Sequence, residues 1–283
     1  MTRFAGRVAA ITGAGSGIGR ALSVELARRG CHIALSDVDE AGLTETRARA
    51  EKAGSVTITD HLVDVADREA VERWADTVVA EHGSVNLIIN NAGVALTASV
   101  ESTSYDNLRW LMDINFFGVV HGTKAFLPHL KATGDGHVVN ISSVFGLVGI
   151  PSQSAYNAAK FAVRGFTEAL RLELDAEDCG VSATTIHPGG IKTNIVQNGR
   201  WEDDDEVSGA QRDEAASQFE QAARTSPERA AVQILRAVEK NKRRAMIGAD
   251  AHVFDLGARL PPWAYQRIIG RIGRRMEDVL DEG

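Results

Sequence analysis

The sequence predicts an α/β protein built on one doubly wound, mainly parallel sheet with helices on both faces. Three observations lead to this fold class. Short runs rich in β-branched residues alternate with longer helical patterns along most of the 283 residues, which indicates parallel strands joined by crossover helices. The runs are nearly all apolar rather than alternating, as expected of strands covered on both faces. A glycine-rich turn follows the first run.

Each element follows from a local pattern. Apolar runs of strand length predict strands at 8–12, 32–36, 56–64, 85–93, 137–142, 181–190 and 244–248. Periods of three to four residues predict helices at 18–29, 40–53, 67–82, 104–131 and 154–178. We expect the fourth helix to be interrupted or to end near Pro128, because proline disrupts a helix interior.

The rhythm predicts one domain over residues 1–250 with an appended segment, 251–283. Residues 194–226 are polar, acidic and weakly periodic, so we interpret them as a flap inserted after the sixth strand that orders on binding. In the last segment, apolar residues recur at helical spacing between several arginines. This C-terminal helical extension either lies on a membrane surface or docks on its own subunit or a dimer mate. The docked alternative is favoured, because most amphipathic helices bury their apolar stripe in protein.

Composition excludes several classes. The net charge of -7 argues against a nucleic-acid-binding protein. Cys31 and Cys179 are the only cysteines; they fit a reducing compartment and show no metal-ligand spacing, so we expect no metal. The N-terminus lacks the apolar core of a signal peptide, and no apolar run is long enough to span a membrane. We therefore expect a cytoplasmic protein.

A phosphate-binding turn is predicted at "TGAGSGIGR" (12–20). Glycines between a first strand and its helix let the backbone approach a pyrophosphate at the helix N-terminus. Asp37, at the end of the second strand, is placed to accept hydrogen bonds from an adenosine ribose and to repel a 2′-phosphate, which favours NAD over NADP. The alternative for Asp37 is a turn residue that caps the next helix.

Five motifs in order complete the pattern: "TGAGSGIG", "NNAG" (90–93), Asn115 in "MDINFFG", "SSVFG" followed by "YNAAK" (156–160), and "HPGGIKT" (187–193). Together they resemble the single-domain short-chain dehydrogenase/reductase (SDR) family over about residues 5–195 and 227–248. The resemblance implies a seven-stranded Rossmann-type sheet, a nicotinamide cofactor, and interconversion of alcohols and carbonyl compounds.

The resemblance also implies site residues. The catalytic set is Asn115, Ser143, Tyr156 and Lys160. The cofactor-binding set is Gly13, Gly15, Ser16, Gly17, Ile18, Gly19, Asp37, Asp64, Val65, Asn91, Ala92, Gly93, Tyr156, Lys160, Pro188, Gly189, Ile191 and Thr193. Asn90 is expected instead to tie strands together, and His187 to be hydrogen-bonded or exposed rather than catalytic.

Elementary chemistry agrees with the catalytic roles. Tyr156 and Lys160 are four residues apart and share one helical face. Lowering the pKa of a tyrosine from about 10 to about 7 needs roughly 4 kcal/mol, which a lysine ammonium and an oxidised nicotinamide can supply. Tyr156 then acts as the general base in oxidation, and Ser143 hydrogen-bonds the substrate oxygen.

Substrate class, assembly and alternatives remain as expectations. The apolar stretch after Ser143 favours a hydrophobic secondary alcohol or ketone. We expect at least a homodimer, or a tetramer, through the helices at 104–131 and 154–178, with Phe161, Phe166 and Leu170 as apolar anchors. The alternatives are a non-catalytic NAD-binding redox sensor or partner-binding protein on the same fold, and an epimerase or dehydratase acting on sugar nucleotides.

Overall fold

The protein is described from a computed structural model over residues 4–197, 199–202, 217, 223–267 and 269–270. Seven strands form one sheet in the order β3-β2-β1-β4-β6-β7-β9, and every neighbouring pair is parallel. The strands of this sheet are β1 (Val8–Thr12), β2 (His32–Asp37), β3 (Ile58–Leu62), β4 (Leu87–Asn90), β6 (Gly136–Ile141), β7 (Val181–Pro188) and β9 (Arg244–Ile247). Two short strands, β5 (Leu96–Thr97) and β8 (Arg200–Trp201), pair with each other outside it. The predicted seven-stranded parallel sheet is confirmed.

Helices cover both faces of this sheet. They are α1 (Gly17–Arg28), α2 (Glu40–Ala53), α3 (Arg68–His82), α4 (Tyr105–Met112), α5 (Gly118–Thr133), α6 (Ser154–Glu177), α7 (Pro227–Glu239) and α8 (Ala249–Gly257). Several begin at a side chain that accepts a backbone N–H of the first turn, as Asp67 does for α3 and Ser226 for α7. The core has two halves, one between the sheet and α1, α2 and α7, the other between the sheet and α3, α5 and α6.

The order in which the strands are added to the sheet reverses at β1, although all seven strands are parallel. Beyond β1 on one side lie β2 and β3, and on the other lies β4, whose Leu87 pairs with Ala9. In open α/β sheets the crevice at the carboxyl ends of the strands beside such a reversal is where ligands bind. The glycine turn after β1 and the "NNAG" segment after β4 meet there.

The long helix predicted at 104–131 is divided, but not at the proline. Its break is a π-helical turn over Asp113–Phe117, between α4 and α5. Pro128 lies inside α5, which continues to Thr133, so the prediction of a break near Pro128 is wrong. One missing backbone N–H is tolerated in a helix that packs along the sheet, whereas the wider π turn marks the position of Asn115.

The predicted flap and extension are only partly visible. Most of 203–222 and all of 271–283 lie outside the described residues, so the ordering of the flap on binding stays a prediction. At the start of the flap, β8 pairs in parallel with β5, a two-stranded ladder that the sequence did not predict. Beyond β9 the chain forms α8 and a helical stretch over 262–267, in agreement with the helical extension predicted for 251–283. Among the described helices, none is long and apolar enough to cross a bilayer.

Candidate active site

The turn between β1 and α1 leaves no room for a side chain at Gly13 or Gly19. A Cβ on Gly19 would lie 2.1 Å from the carbonyl oxygen of Gly13, and one on Gly13 would lie 2.7 Å from Cα of Ala92. Gly13 also has a φ of 64°, in the left-handed region. Ser16 precedes the first residue of α1, and the first N–H groups of a helix have no partner within it. The turn therefore offers a backbone surface suited to a phosphate.

Asp37 lies against this turn from the end of β2. Its Oδ2 accepts a hydrogen bond from the Gly15 N–H at 2.8 Å, and its Oδ1 accepts from the N–H groups of Val38 and Asp39 at 2.8 and 3.1 Å. The carboxylate thus caps its own turn and also borders the glycine loop. The N-cap residue of α2 is Asp39, so the alternative that Asp37 caps the next helix is wrong, although Asp37 does hold its own turn.

The segment after β4 forms the wall of the same crevice. Nδ2 of Asn91 donates to the carbonyl oxygens of Thr12 and Gly13 at 2.9 and 3.0 Å. The Thr12 hydroxyl accepts the N–H groups of Asn91 and Ala92, both at 3.0 Å. Asn90, as predicted, ties strands together: its amide donates to Oδ1 of Asn140 on β6 at 2.8 Å.

Two further predicted segments reach the crevice from β3 and β7. Thr193 lies beside the glycine turn, since its Cγ2 would be 3.1 Å from a Cβ on Gly17. The remaining predicted cofactor residues lie at the same edge. Pro188 ends β7, Gly189 and Ile191 follow it, Ile18 is in the first turn of α1, and Asp64 and Val65 follow β3.

Lys160 and Asn115 meet beneath the crevice. The side chain of Lys160 is 3% exposed, and its Nζ donates to the carbonyl oxygen of Ile141 at 3.1 Å. A Cβ on Gly93 would lie 3.5 Å from this Nζ and 3.2 Å from Oδ1 of Asn115. Asn115 is fully buried, and its amide both accepts from the N–H and donates to the carbonyl of Val94, each at 2.8 Å. The π turn holds this amide in place.

Ser143 and Tyr156 complete the set. The Tyr156 hydroxyl is hydrogen-bonded to the side chain of Ser143, whose Oγ also accepts the Phe145 N–H at 3.1 Å. The Phe145 ring meets the Tyr156 ring edge-on at 5.9 Å between centroids. Nζ of Lys160 lies 5.4 Å from the centroid of the tyrosine ring. All four predicted catalytic side chains are therefore brought together.

Burial perturbs both titratable groups of this set. It raises the pKa of Tyr156 to about 12, against a smaller lowering by the Ser143 hydrogen bond. It lowers the pKa of Lys160 to about 8. The direction for Tyr156 is opposite to the one expected of a working general base. Among the protein groups alone, desolvation outweighs the ammonium, which is hydrogen-bonded to Ile141 rather than to the phenol.

Three polar residues outside the predicted catalytic and cofactor-binding sets support the site. His187 is buried, and its Nδ1–H donates to the carbonyl oxygen of Ser143 at 2.8 Å; burial lowers its pKa to about 4, so it is neutral near pH 7. Asn157 donates to the carbonyls of Phe145 and Val148, which fixes the loop after Ser143. Asp250 accepts the Gly190 N–H at 2.6 Å. His187 and Asn157 lie within the motifs at 187–193 and 156–160, whereas nothing local signals Asp250.

These residues fit a nicotinamide dinucleotide. The glycine turn leaves open a cradle that a Cβ would fill, a carboxylate ends β2, and a buried lysine and a tyrosine lie across the crevice. Within the described residues, no group of three or more His, Cys, Asp or Glu side chains is placed to hold a metal ion.

Fold and site together define the class, an oxidoreductase on a dinucleotide-binding sheet. A family model described as short chain dehydrogenase matches residues 7–204, and the chain belongs to this short-chain dehydrogenase/reductase family. It is 48% identical over 270 residues to the oxidoreductase named SadH of Mycobacterium tuberculosis, covering 95% of this chain and 96% of SadH.

Two further relatives show how wide the similarity is. Epidermal retinol dehydrogenase 2 of Mus musculus is 39% identical over 194 residues, covering 68% of this chain and 63% of that protein. A short-chain dehydrogenase/reductase from Burkholderia phymatum, solved in complex with NAD, superposes with a TM-score of 0.79 at 29% identity, covering 87% of this chain and 90% of that one. The similarity thus extends across the whole sheet.

Proposed function

We propose that the protein is an NAD(H)-dependent oxidoreductase that interconverts an apolar secondary alcohol and its ketone. The observation that carries this proposal is the contact set at the carboxyl end of the sheet. Tyr156, Ser143, Lys160 and Asn115 converge opposite the closely packed glycine turn. A non-catalytic redox sensor, the alternative, has no need of a complete proton-transfer set.

The chain's own residues account for proton movement. In oxidation, Tyr156 accepts the proton of the substrate hydroxyl, and Ser143 donates a hydrogen bond to the oxygen as charge develops. NAD, when bound in the crevice, would supply the hydride acceptor and a positive charge that favours the phenolate. Lys160, with a pKa near 8, passes the proton on beside Asn115. In the reverse direction, Tyr156 is the general acid.

NAD is proposed over NADP because of Asp37. Its carboxylate faces the position where an adenosine ribose binds in doubly wound folds, and a 2′-phosphate there meets a negative charge. The Burkholderia relative is named as a complex with NAD, which agrees with this choice.

An apolar substrate is proposed from the side chains around Tyr156. Its ring packs with a cluster that includes Leu96, Leu111 and Ala155, and with Phe145. Most of the apolar stretch after Ser143 has a different role than predicted, since Val144, Leu147 and Val148 are buried in the protein itself. The name of the retinol dehydrogenase relative points to the same kind of substrate.

A screen of secondary alcohols with NAD, followed by the absorbance of the reduced cofactor, tests the proposal. Tyr156→Phe is expected to lower turnover by roughly 10²–10⁴-fold and to leave the Kd for NAD nearly unchanged. Turnover retained in Tyr156→Phe contradicts the assigned acid–base role. No turnover of any alcohol or ketone by the wild type, with NAD bound, favours the sensor.

Dimerisation is proposed through α6 and the region predicted as one helix at 104–131, which the structure divides into α4 and α5. An exposed stripe on α6 contains Ala158, Phe161, Gly165 and Leu172, with Phe161 40% exposed and Leu172 65% exposed. Leu170, predicted as an anchor, is buried in its own core, so that part of the prediction is wrong. Light scattering that shows a monomeric wild type at micromolar concentration contradicts the dimer. If the wild type is dimeric, Phe161→Glu is expected to be monomeric.

The C-terminal extension is proposed to dock on a second subunit. Val253, Leu256, Leu260 and Trp263 are 45–71% exposed, so they form an apolar surface within the described part of the chain. Truncation after Asp250 is therefore expected to change the oligomeric state. Salt-sensitive pelleting of the full chain with anionic liposomes, lost on truncation, favours the membrane alternative instead.

A further inference from the structure

A short ladder lies directly after the segment that forms the wall of the crevice, or cleft, and we call its strand β5 the cleft wall. β5 and β8 pair in parallel, with the Arg200 N–H donating to the carbonyl of Ala95 at 3.0 Å and the Glu202 N–H to that of Thr97 at 3.3 Å. Two residues per strand are too few for a stable strand pair in water, and parallel pairing is the weaker kind. The ladder therefore depends on contacts from its side chains.

Those contacts form a compact group that we name the Arg200 clasp: Asn107, Trp110, Arg200 and Glu202. The Arg200 guanidinium lies over the Trp110 ring, 3.8 Å from its centroid. Its Nη1 donates to Oδ1 of Asn107 at 2.9 Å, and Nδ2 of Asn107 donates to Oε2 of Glu202 at 2.8 Å. Hydrogen bonds from Ser104 and Asn107 lower the pKa of Glu202. A cation over an aromatic face and a bridging amide hold the start of the flap to α4.

The clasp connects to Asn115 in two ways. Ala95, which accepts the Arg200 N–H, follows Val94, and both the N–H and the carbonyl of Val94 are hydrogen-bonded to the Asn115 amide. Trp110 lies on α4, which runs directly into the π turn that contains Asn115. Arg200 therefore fixes both the backbone that bonds the Asn115 amide, at Val94, and the helix α4 that leads into the turn containing Asn115.

A second connection leads to Tyr156. The Thr97 hydroxyl, on β5, accepts a hydrogen bond from Nε2 of Gln153 at 3.1 Å, and the Ala98 N–H donates to the carbonyl of Ser152 at 3.0 Å. Gln153 is the N-cap residue of α6, and Tyr156 is in the first turn of that helix. Movement of β5 therefore changes the position of the helix end that carries the proposed acid–base.

We propose that Arg200 is a positioning residue, which ties the flap to the cleft wall and through that wall sets the positions of Asn115 and Tyr156 for proton transfer. The proposal rests on the oxidoreductase function proposed above. No contact of the clasp reaches the glycine turn among the described residues. Its loss is therefore expected to lower kcat without weakening cofactor binding.

Steady-state kinetics of Arg200→Ala and Trp110→Ala test this, with Arg68→Ala as the matched control. Arg68 is likewise exposed, but its guanidinium pairs with Glu72 on its own helix, α3, at 3.6 Å. We expect kcat to fall about tenfold or more in both clasp variants, since small misplacement of reacting groups is costly. The Kd for NAD stays within about twofold of wild type, and Trp110→Phe, which keeps a ring beneath the guanidinium, recovers most of kcat.

Hydrogen exchange of residues 94–98 separates this proposal from the function on which it rests. Faster exchange there in Arg200→Ala, with the glycine turn unchanged, is expected whether or not a substrate has been found. Unchanged exchange overturns the clasp. Faster exchange with unaltered kcat, or an equal loss of kcat in Arg68→Ala, overturns the positioning role. A wild type that turns over no alcohol or ketone refutes the proposed function, while the exchange result still decides whether the clasp exists.

Discussion

The glycine turn and the catalytic end of α6 lie at the same edge of the sheet, but different forces hold them. The turn is fixed by shape: backbone approaches backbone so closely that a Cβ at Gly19 would lie 2.1 Å from an oxygen. The catalytic end is fixed by polar contacts, with Lys160, Asn115 and Ser143 each hydrogen-bonded to a backbone group.

The difference has an energetic consequence. The turn is held by close backbone packing, and residues 13–19 carry no titratable side chain of their own. The catalytic end buries an ammonium and a phenol, and burial moves their pKa values in opposite directions, to about 8 and about 12. The cofactor half is thus rigid. The catalytic half buries ionisable groups at an electrostatic cost, which a bound charge can reduce.

Gly19→Ala tests the rigid half and has the largest expected effect. The new methyl group must displace backbone, which costs about 3 kcal/mol or more, so we expect a lower Tm and no measurable NAD binding. Thermal unfolding and a fluorescence titration measure both. The control is Gly149→Ala, at an exposed glycine where no described heavy atom lies within 4 Å of the new Cβ. A Gly19→Ala protein with wild-type NAD affinity contradicts the interpretation that the glycine turn is rigid.

Asp37→Ala tests charge within the shape-determined half. Removing the carboxylate removes the repulsion of a 2′-phosphate, so we expect the NAD to NADP affinity ratio to fall by about tenfold, close to 1.4 kcal/mol. Three backbone N–H groups also lose their acceptor, so the Tm is expected to fall as well. Titration of both cofactors at fixed salt measures the ratio. An unchanged ratio assigns Asp37 to the turn cap alone.

Lys160→Met tests the electrostatic cost of the catalytic half. The pKa of Lys160 is about 8 in the fold and ordinarily 10.5. Between these values the unfolded chain binds more protons than the native one, so the Lys160 contribution to the free energy of unfolding rises with pH from about 8 to 10.5. Its full range is on the order of 3 kcal/mol. Denaturant unfolding at several pH values should show a rise in the free energy of unfolding between about pH 8 and 10.5 in wild type that Lys160→Met lacks. The same pH dependence in both proteins refutes the assigned cost of burying Lys160.

His187→Ala tests a contact one step away from the substrate and has the smallest expected effect. Without its donor, the Ser143 carbonyl loses a buried partner, and we expect kcat to fall by about threefold to tenfold. His187→Asn places an amide N–H near the position of Nδ1 and should restore most of the loss. Equal kcat in the Ala variant and wild type shows that Ser143 is held by other contacts.

The sheet and the catalytic set were predictable because each has a local or spaced signal. Apolar runs gave the seven strands, and Tyr156 and Lys160 lie four residues apart behind a glycine turn. The break in the long helix was placed wrongly because proline is a visible breaker, whereas a π turn at Asn115 depends on how the helix packs. Tertiary context decided that position.

Contacts between distant segments were not predictable. Asp250 reaches Gly190 across 60 residues, and Arg200 reaches Trp110 through a pairing of two-residue strands. Neither position has a periodicity or a motif of its own. The pKa of Tyr156 was expected to fall because its charged neighbour was visible in the sequence, whereas the extent of burial was not.

The position of β1 between β2 and β4 bears on the order in which the protein folds. Its β2 partner is close in sequence, with Ala9 facing Ile33, but its β4 partner, Leu87, is 78 residues away. Long-range parallel pairing is slow to form, and only then can Asn91 bond the Thr12 and Gly13 carbonyls. The glycine turn is thus a late-forming element during synthesis, and added NAD is expected to slow unfolding rather than to speed folding.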